Sequence, residues 1–171
     1  MNADAFWSII ESTKSEDHSD RQPKLVEYLS ELPRKEIEEF EQELRRRIME
    51  ANDYGVLAAA KIIDGFVSDD SFLYFRCWLI GKGREIFYKT LEAPDSLADY
   101  VSTDETAEFE ELLYVSSEAA ETKGDPEDFE DPRDIALDAG LHYDDGELSG
   151  TDWTEDELPE RYPNLWRKFN L

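Results

Sequence analysis

Apolar side chains recur every three or four positions through roughly the first 120 residues, the pitch of α-helices with one side turned inward. Phe6, Ile9 and Ile10 form a first short face, with Asn2 or Asp4 near its start. Ser19 to Gln22 has capping-box spacing, Pro23 suits a first turn, and Leu25, Val26, Leu29 and Leu32 make the next stripe. Pro33 closes that helix and can open another. Ile37, Phe40, Leu44 and Ile48 then line one side of a third helix, with Glu36, Glu39, Glu43, Arg46 and Glu50 on the charged side.

Asn52-Asp53 interrupts this pattern. Val56 to Ile63 is apolar almost all round and contains Ala58, Ala59 and Ala60, so it predicts a central helix that neighbours approach closely, stopped by Gly65. Ser68 is placed to cap a helix that begins with Asp69 and Asp70, whose charges favour the N-terminal end of the helix dipole. Its inner stripe is Phe72, Phe75 and Leu79, and Gly81 or Gly83 ends it. A helix from Arg84 to Leu91 stops before Pro94, and a short turn carries Leu97 and Tyr100. Asp104 to Glu121 predicts a long helix with Phe109, Leu112, Leu113 and Ala120 inward.

From Lys123 to Gly150 the periodicity fades, punctuated by Asp125-Pro126, Asp131-Pro132, Gly140, Gly146 and Gly150. This predicts an acidic loop with one short helix from Pro132 that carries Ile135 and Leu137. Thr154 to Glu157 repeats the capping-box spacing, and Leu158, Tyr162, Leu165, Trp166 and Phe169 supply apolar surface for docking a last segment. Few runs alternate with period two. The expected architecture is therefore all-α: a compact multi-helix bundle over 1–123, an acidic irregular segment over 124–152, and a C-terminal segment over 153–171 packed on the core, one domain in total.

Composition adds two constraints. At 40% hydrophobic and 12% aromatic, the 171-residue chain has material for a core. Against that stands a net charge of -25, from 43 acidic and 18 basic side chains. Residues 101–171 alone hold 22 acidic and 5 basic groups. Such a surface repels nucleic-acid phosphates and anionic lipid, and suits a basic protein partner, cations or solubility. The N-terminal stretch lacks a basic leader, and no run approaches the roughly 18 apolar residues of a membrane span. The expectation is a cytoplasmic protein that binds neither nucleic acid nor membrane; oligomeric state is left open.

Candidate chemistry is sparse. Cys77, the single cysteine, sits in an apolar run and reads as a buried thiol. Gly81-Lys82-Gly83-Arg84 lacks phosphate-loop spacing and reads as a helix–helix turn, with a weak anion site as the alternative. His18 reads as a surface residue. His142 near Asp144, Asp145 and Glu147 reads as part of a solvated loop rather than a metal site. Asp69, Asp70, Arg76, Trp78 and Arg84 form the candidate binding set. Either they cap and pair within the bundle, or they line a groove in which arginine bonds carboxylates and indole supplies stacking area. No catalytic residue, metal or cofactor is assigned.

Phe6-Trp7-Ser8-Ile9-Ile10, the stretch from Ser68 to Arg84, Pro94-Asp95-Ser96-Leu97-Ala98, and the closing Trp153 with Leu158-Pro159-Glu160-Arg161-Tyr162-Pro163-Asn164-Leu165-Trp166 resemble a bacterial family of uncharacterised proteins, DUF4240. The resemblance implies a shared helical fold and supplies no catalytic residues. Two functions are then expected in order: a non-enzymatic, immunity-like or regulatory protein that engages a basic partner through acids of the 125–157 region and tryptophan anchors, or an enzyme or small-ligand protein with a pocket around Asp70, Arg76, Trp78 and Arg84.

Overall fold

A computed structural model describes residues 1–14, 20–124, 130–144 and 146–170. Ser19, His18, Asp125-Pro126 and Asp145 lie outside the described residues. The fold is all-α: no strand occurs among the described residues, where the one extended pairing is an isolated bridge between Asp53 and Ser149. The helices fall into two compact units, one built from Met1–Met49 with Glu110–Asp145, the other from Glu50–Phe109 with Gly146–Leu171.

In the first unit, α1 (Ala3–Ser12) starts where the Asn2 side chain accepts the Ala5 N–H at 2.9 Å. It buries Phe6, Trp7, Ile9 and Ile10. The Phe6 ring meets Phe40 of α3 (Arg34–Glu50) at 5.0 Å. Between them in sequence is α2 (Arg21–Glu31), with Leu25 and Leu29 buried and Arg21 only 4% exposed. Burial lowers the Arg21 pKa to about 10, with the Glu11 charge acting in the opposite direction. Two later helices complete the unit: α7 (Val115–Glu121), which packs on α2, and α8 (Pro132–Asp138), which packs on α7.

In α3 the buried side is wider than the apolar stripe. Ile37, Phe40, Leu44 and Ile48 are buried as expected, but so are Glu41, Glu43 and Arg45. Glu43 therefore does not belong to the solvent face on which its spacing places it. Its two carboxylate oxygens accept from Arg46 at 2.6 Å and Arg47 at 3.2 Å, which compensates its burial.

The second unit is organised around α4 (Tyr54–Asp64), which buries Val56, Ala58, Ala59, Ala60 and Ile62. Its small residues admit α5 (Asp69–Gly81), α6 (Arg84–Glu92), the 3₁₀ turn Pro94–Asp99 and α10 (Pro163–Phe169) as neighbours. Asp53 caps α4 through the Gly55 N–H at 2.7 Å and accepts the Ser149 hydroxyl at 3.0 Å. The Trp153 indole N–H reaches the Tyr54 carbonyl at 2.7 Å. After the short α9 (Leu158–Arg161), Asp95 accepts the backbone N–H groups of Asn164 and Leu165, at 3.0 and 2.9 Å, and so holds the start of α10. These bonds seat residues 146–170 within the unit.

The long helix expected over 104–121 does not form. Helical structure begins with a 3₁₀ turn at Glu110–Leu113 and continues as α7. Upstream, Phe109 donates its backbone N–H to the Tyr74 carbonyl at 3.2 Å, and Glu105 accepts the Trp78 indole N–H at 3.0 Å. These contacts with α5 hold residues 104–109 out of helical geometry, and helical structure begins only at Glu110.

Candidate functional site

The α4–α5 junction presents the most exposed large apolar side chain among the described residues. Gly65 adopts φ +74 and ends α4 by donating its N–H to Lys61, a left-handed turn that favours glycine. The chain then runs through Phe66 and Val67 to Ser68, whose hydroxyl accepts the Ser71 N–H while the Ser71 hydroxyl accepts the Ser68 N–H. Clamped between a left-handed stop and a reciprocal cap, Phe66 stands 72% exposed. Asp64, Asp69 and Asp70 around it are exposed as well.

Asp64, Asp69 and Asp70 form no ion pair among the described residues. Asp64 is exposed as a residue, yet partial screening of its carboxyl from water raises its pKa to about 6, and the Glu108 charge acts in the same direction. Lys61, one turn earlier on α4, is turned to Glu155 at 3.0 Å.

The sequence-derived set separates along α5 and α6. Asp69 and Asp70 occupy the exposed first turn of α5. Arg76 is 5% exposed, with its guanidinium 4.7 Å from the centre of the Phe72 ring. Trp78 is 1% exposed, and its N–H bond to Glu105 is joined by an ion pair from Lys82, whose ammonium also lies 4.8 Å from the indole centre. Arg84 opens α6 and is exposed. Trp78 thus meets Lys82 and Glu105, and Arg76 meets Phe72. Lys82 of the glycine-rich turn is engaged in this cluster. Cys77 is fully buried. Among the described residues no group of three His, Cys, Asp or Glu is arranged to hold a metal ion.

In the first unit, Arg45, Asp131, Arg133, Asp134, Leu137, Tyr143 and Asp144 line a cleft of about 360 Å³. Arg45 is its fixed element. Its Nε donates to Glu41 at 2.7 Å, one Nη donates to the Leu141 carbonyl at 3.0 Å, and the guanidinium lies 4.7 Å from the Tyr143 ring centre. Glu41 is held in turn by the Ser116 hydroxyl at 2.8 Å. Asp131 caps α8 through the Arg133 N–H at 2.8 Å and accepts the Ser117 hydroxyl at 2.7 Å. Sequence reading misses this cleft because Arg45 stands far along the chain from the other lining residues, which all fall within 131–144. The one local signal is Glu41 and Arg45 in i, i+4 register with Ile37 on the inward side of α3.

A family model described as a protein of unknown function, DUF4240, matches residues 1–122. No curated protein and no solved structure matches the chain. The matched residues include the Phe6-Trp7 start, the whole Ser68-to-Arg84 stretch and the Pro94 turn, while the closing segment from Trp153 to Trp166 lies beyond them. The chain belongs to the DUF4240 family.

Proposed function

We propose that this protein is a non-enzymatic binding module of the bacterial cytoplasm, regulatory or immunity-like in role, that docks a basic partner protein on the α4–α5 loop. The observation that carries the reading is Phe66, a large aromatic side chain left 72% exposed in a loop flanked along the chain by the exposed acids Asp64, Asp69 and Asp70. Burying such a ring contributes about 1.5–3 kcal/mol, enough for an anchor, and the surrounding Asp64, Asp69 and Asp70 select lysine- or arginine-bearing surfaces over acidic ones. Trp7 and Trp78 are enclosed at 2% and 1% exposure and Trp153 and Trp166 are half-buried, so Phe66 is the more exposed aromatic anchor. The charge of -25 steers a basic partner from a distance and the aromatic anchor holds it.

Fluorescence anisotropy with a labelled amphipathic lysine–leucine peptide tests the reading. Wild-type protein binds it, Phe66→Ala weakens binding by about tenfold, equivalent to about 1.4 kcal/mol, and joint Asp69→Asn and Asp70→Asn substitution flattens the salt dependence. Equal affinity of Phe66→Ala and wild type reduces the interaction to general charge attraction and removes the proposal.

A further inference from the structure

The Arg45 cleft is a second binding site whose donors are set in advance. A guanidinium offers N–H donors on three nitrogens. In Arg45, Nε and one Nη are taken by Glu41 and the Leu141 carbonyl, while Nη2 takes up no hydrogen bond among the described residues. The residue is 2% exposed, lines the cleft and is fixed by the Tyr143 ring, so its remaining donors are directed at little cost in side-chain entropy. Arg133, a half-buried residue that also lines the cleft, makes no ion pair among the described residues, and its guanidinium lies 5.5 Å from the centre of the Tyr114 ring. An acceptor group such as a carboxylate suits these two side chains.

The remaining lining has the opposite sign. Asp131 is committed to the Ser117 hydroxyl and the Arg133 N–H, the exposed Asp134 and Asp144 carboxylates accept no hydrogen bond among the described residues, and Leu137 and Tyr143 add apolar surface. A simple anion meets these carboxylates and the field of a chain at -25, and a simple cation meets two guanidinium groups. A ligand that carries both charges satisfies both sets. A volume of about 360 Å³ falls in the range of small-molecule sites.

We infer that this cleft binds a free α-amino acid, with its carboxylate on Arg45 and Arg133 and its ammonium on Asp134 and Asp144. The inference rests on the first unit alone and does not depend on docking at Phe66.

The test is NMR titration of ¹⁵N-labelled full-length protein with each common L-amino acid, following the arginine Nε–H signals. At least one amino acid is expected to shift the Arg45 and Arg133 signals saturably. Its analogues lacking the amino group or the carboxylate bind at least about tenfold more weakly, as does Arg133→Gln. Asp134→Asn serves as a second variant, on an exposed residue, and lowers affinity for the amino acid while leaving binding of the des-amino analogue unchanged or stronger. Failure of every amino acid to bind overturns the inference, as does equal binding of either half-molecule or affinity unchanged in both variants.

Discussion

Glu41 and Arg45 stand one turn apart on α3, each 2% exposed, with Arg45 Nε 2.7 Å from the Glu41 carboxylate. Neither charge is left alone in the interior, because Ser116 and the Leu141 carbonyl complete the network. Taking two ions out of water is costly, so the pair stabilises the unit little in total, whereas either member without the other is strongly unfavourable.

Arg45→Met therefore lowers stability by about 3 kcal/mol or more, because it leaves the Glu41 carboxylate buried and uncompensated. Joint replacement by Glu41→Leu and Arg45→Met recovers most of that loss. Urea unfolding of the two single variants and the double variant measures the coupling; additive losses would show that the residues do not act as a pair.

Gly55 supplies a second prediction, one in which helix propensity points the wrong way. In an open helix position Gly→Ala is favourable by up to about 1 kcal/mol. Here a Cβ would lie 2.6 Å from Pro94 Cγ and 3.0 Å from the Asp53 carboxylate oxygen that caps α4. Gly55→Ala is expected to destabilise by about 1–3 kcal/mol through overpacking. A raised thermal midpoint would show that the Pro94 turn gives way instead.

Asp64 links the acidic loop to pH. Its carboxyl titrates at about 6 rather than 3.8, so the folded state binds this proton more tightly than the unfolded state. The associated stability is fully present below pH 3.8 and is lost as pH rises through about 6. Asp64→Asn removes this dependence and also a negative charge at the C-terminal end of α4, where the helix dipole disfavours it. The variant is expected to unfold at higher urea than wild type at pH 8, with the gain shrinking toward pH 4. A gain that grows on acidification would contradict the assignment.

The helices themselves are written in the sequence because local rules coincide with tertiary need. Asn2 and Ser68 cap, Gly65 stops, and the stripes of α1, α3 and α5 lie on the buried sides, whereas Asp53, legible only as an interruption, caps α4. Thr154 and Glu157 form the reciprocal cap their spacing predicts. Reading fails where distant partners decide the local structure. Residues 104–109 keep a helix-compatible composition, yet Tyr74 and Trp78 hold their hydrogen-bonding groups elsewhere.

The site residues show the same division. Asp69 and Asp70 are legible as the first turn of α5, because the dipole argument is local. The partner of Trp78 is not legible, since Glu105 lies 27 positions away among many equivalent carboxylates. The Arg45 cleft needs α3 and the residues after Asp131 together, and no spacing within either stretch signals it. Phe66 is a single aromatic residue between a stop and a cap; its sequence context fixes the loop, and only the structure shows the ring uncovered.

The docking surface around Phe66 is the centre of the functional account, and amide chemical-shift mapping addresses it most directly. Full-length ¹⁵N-labelled protein is titrated with the lysine–leucine peptide in moderate salt. The account predicts shifts concentrated at residues 64–70, with loss of those shifts in Phe66→Ala. Shifts spread over the acidic residues generally, or centred elsewhere with residues 64–70 silent, would contradict it.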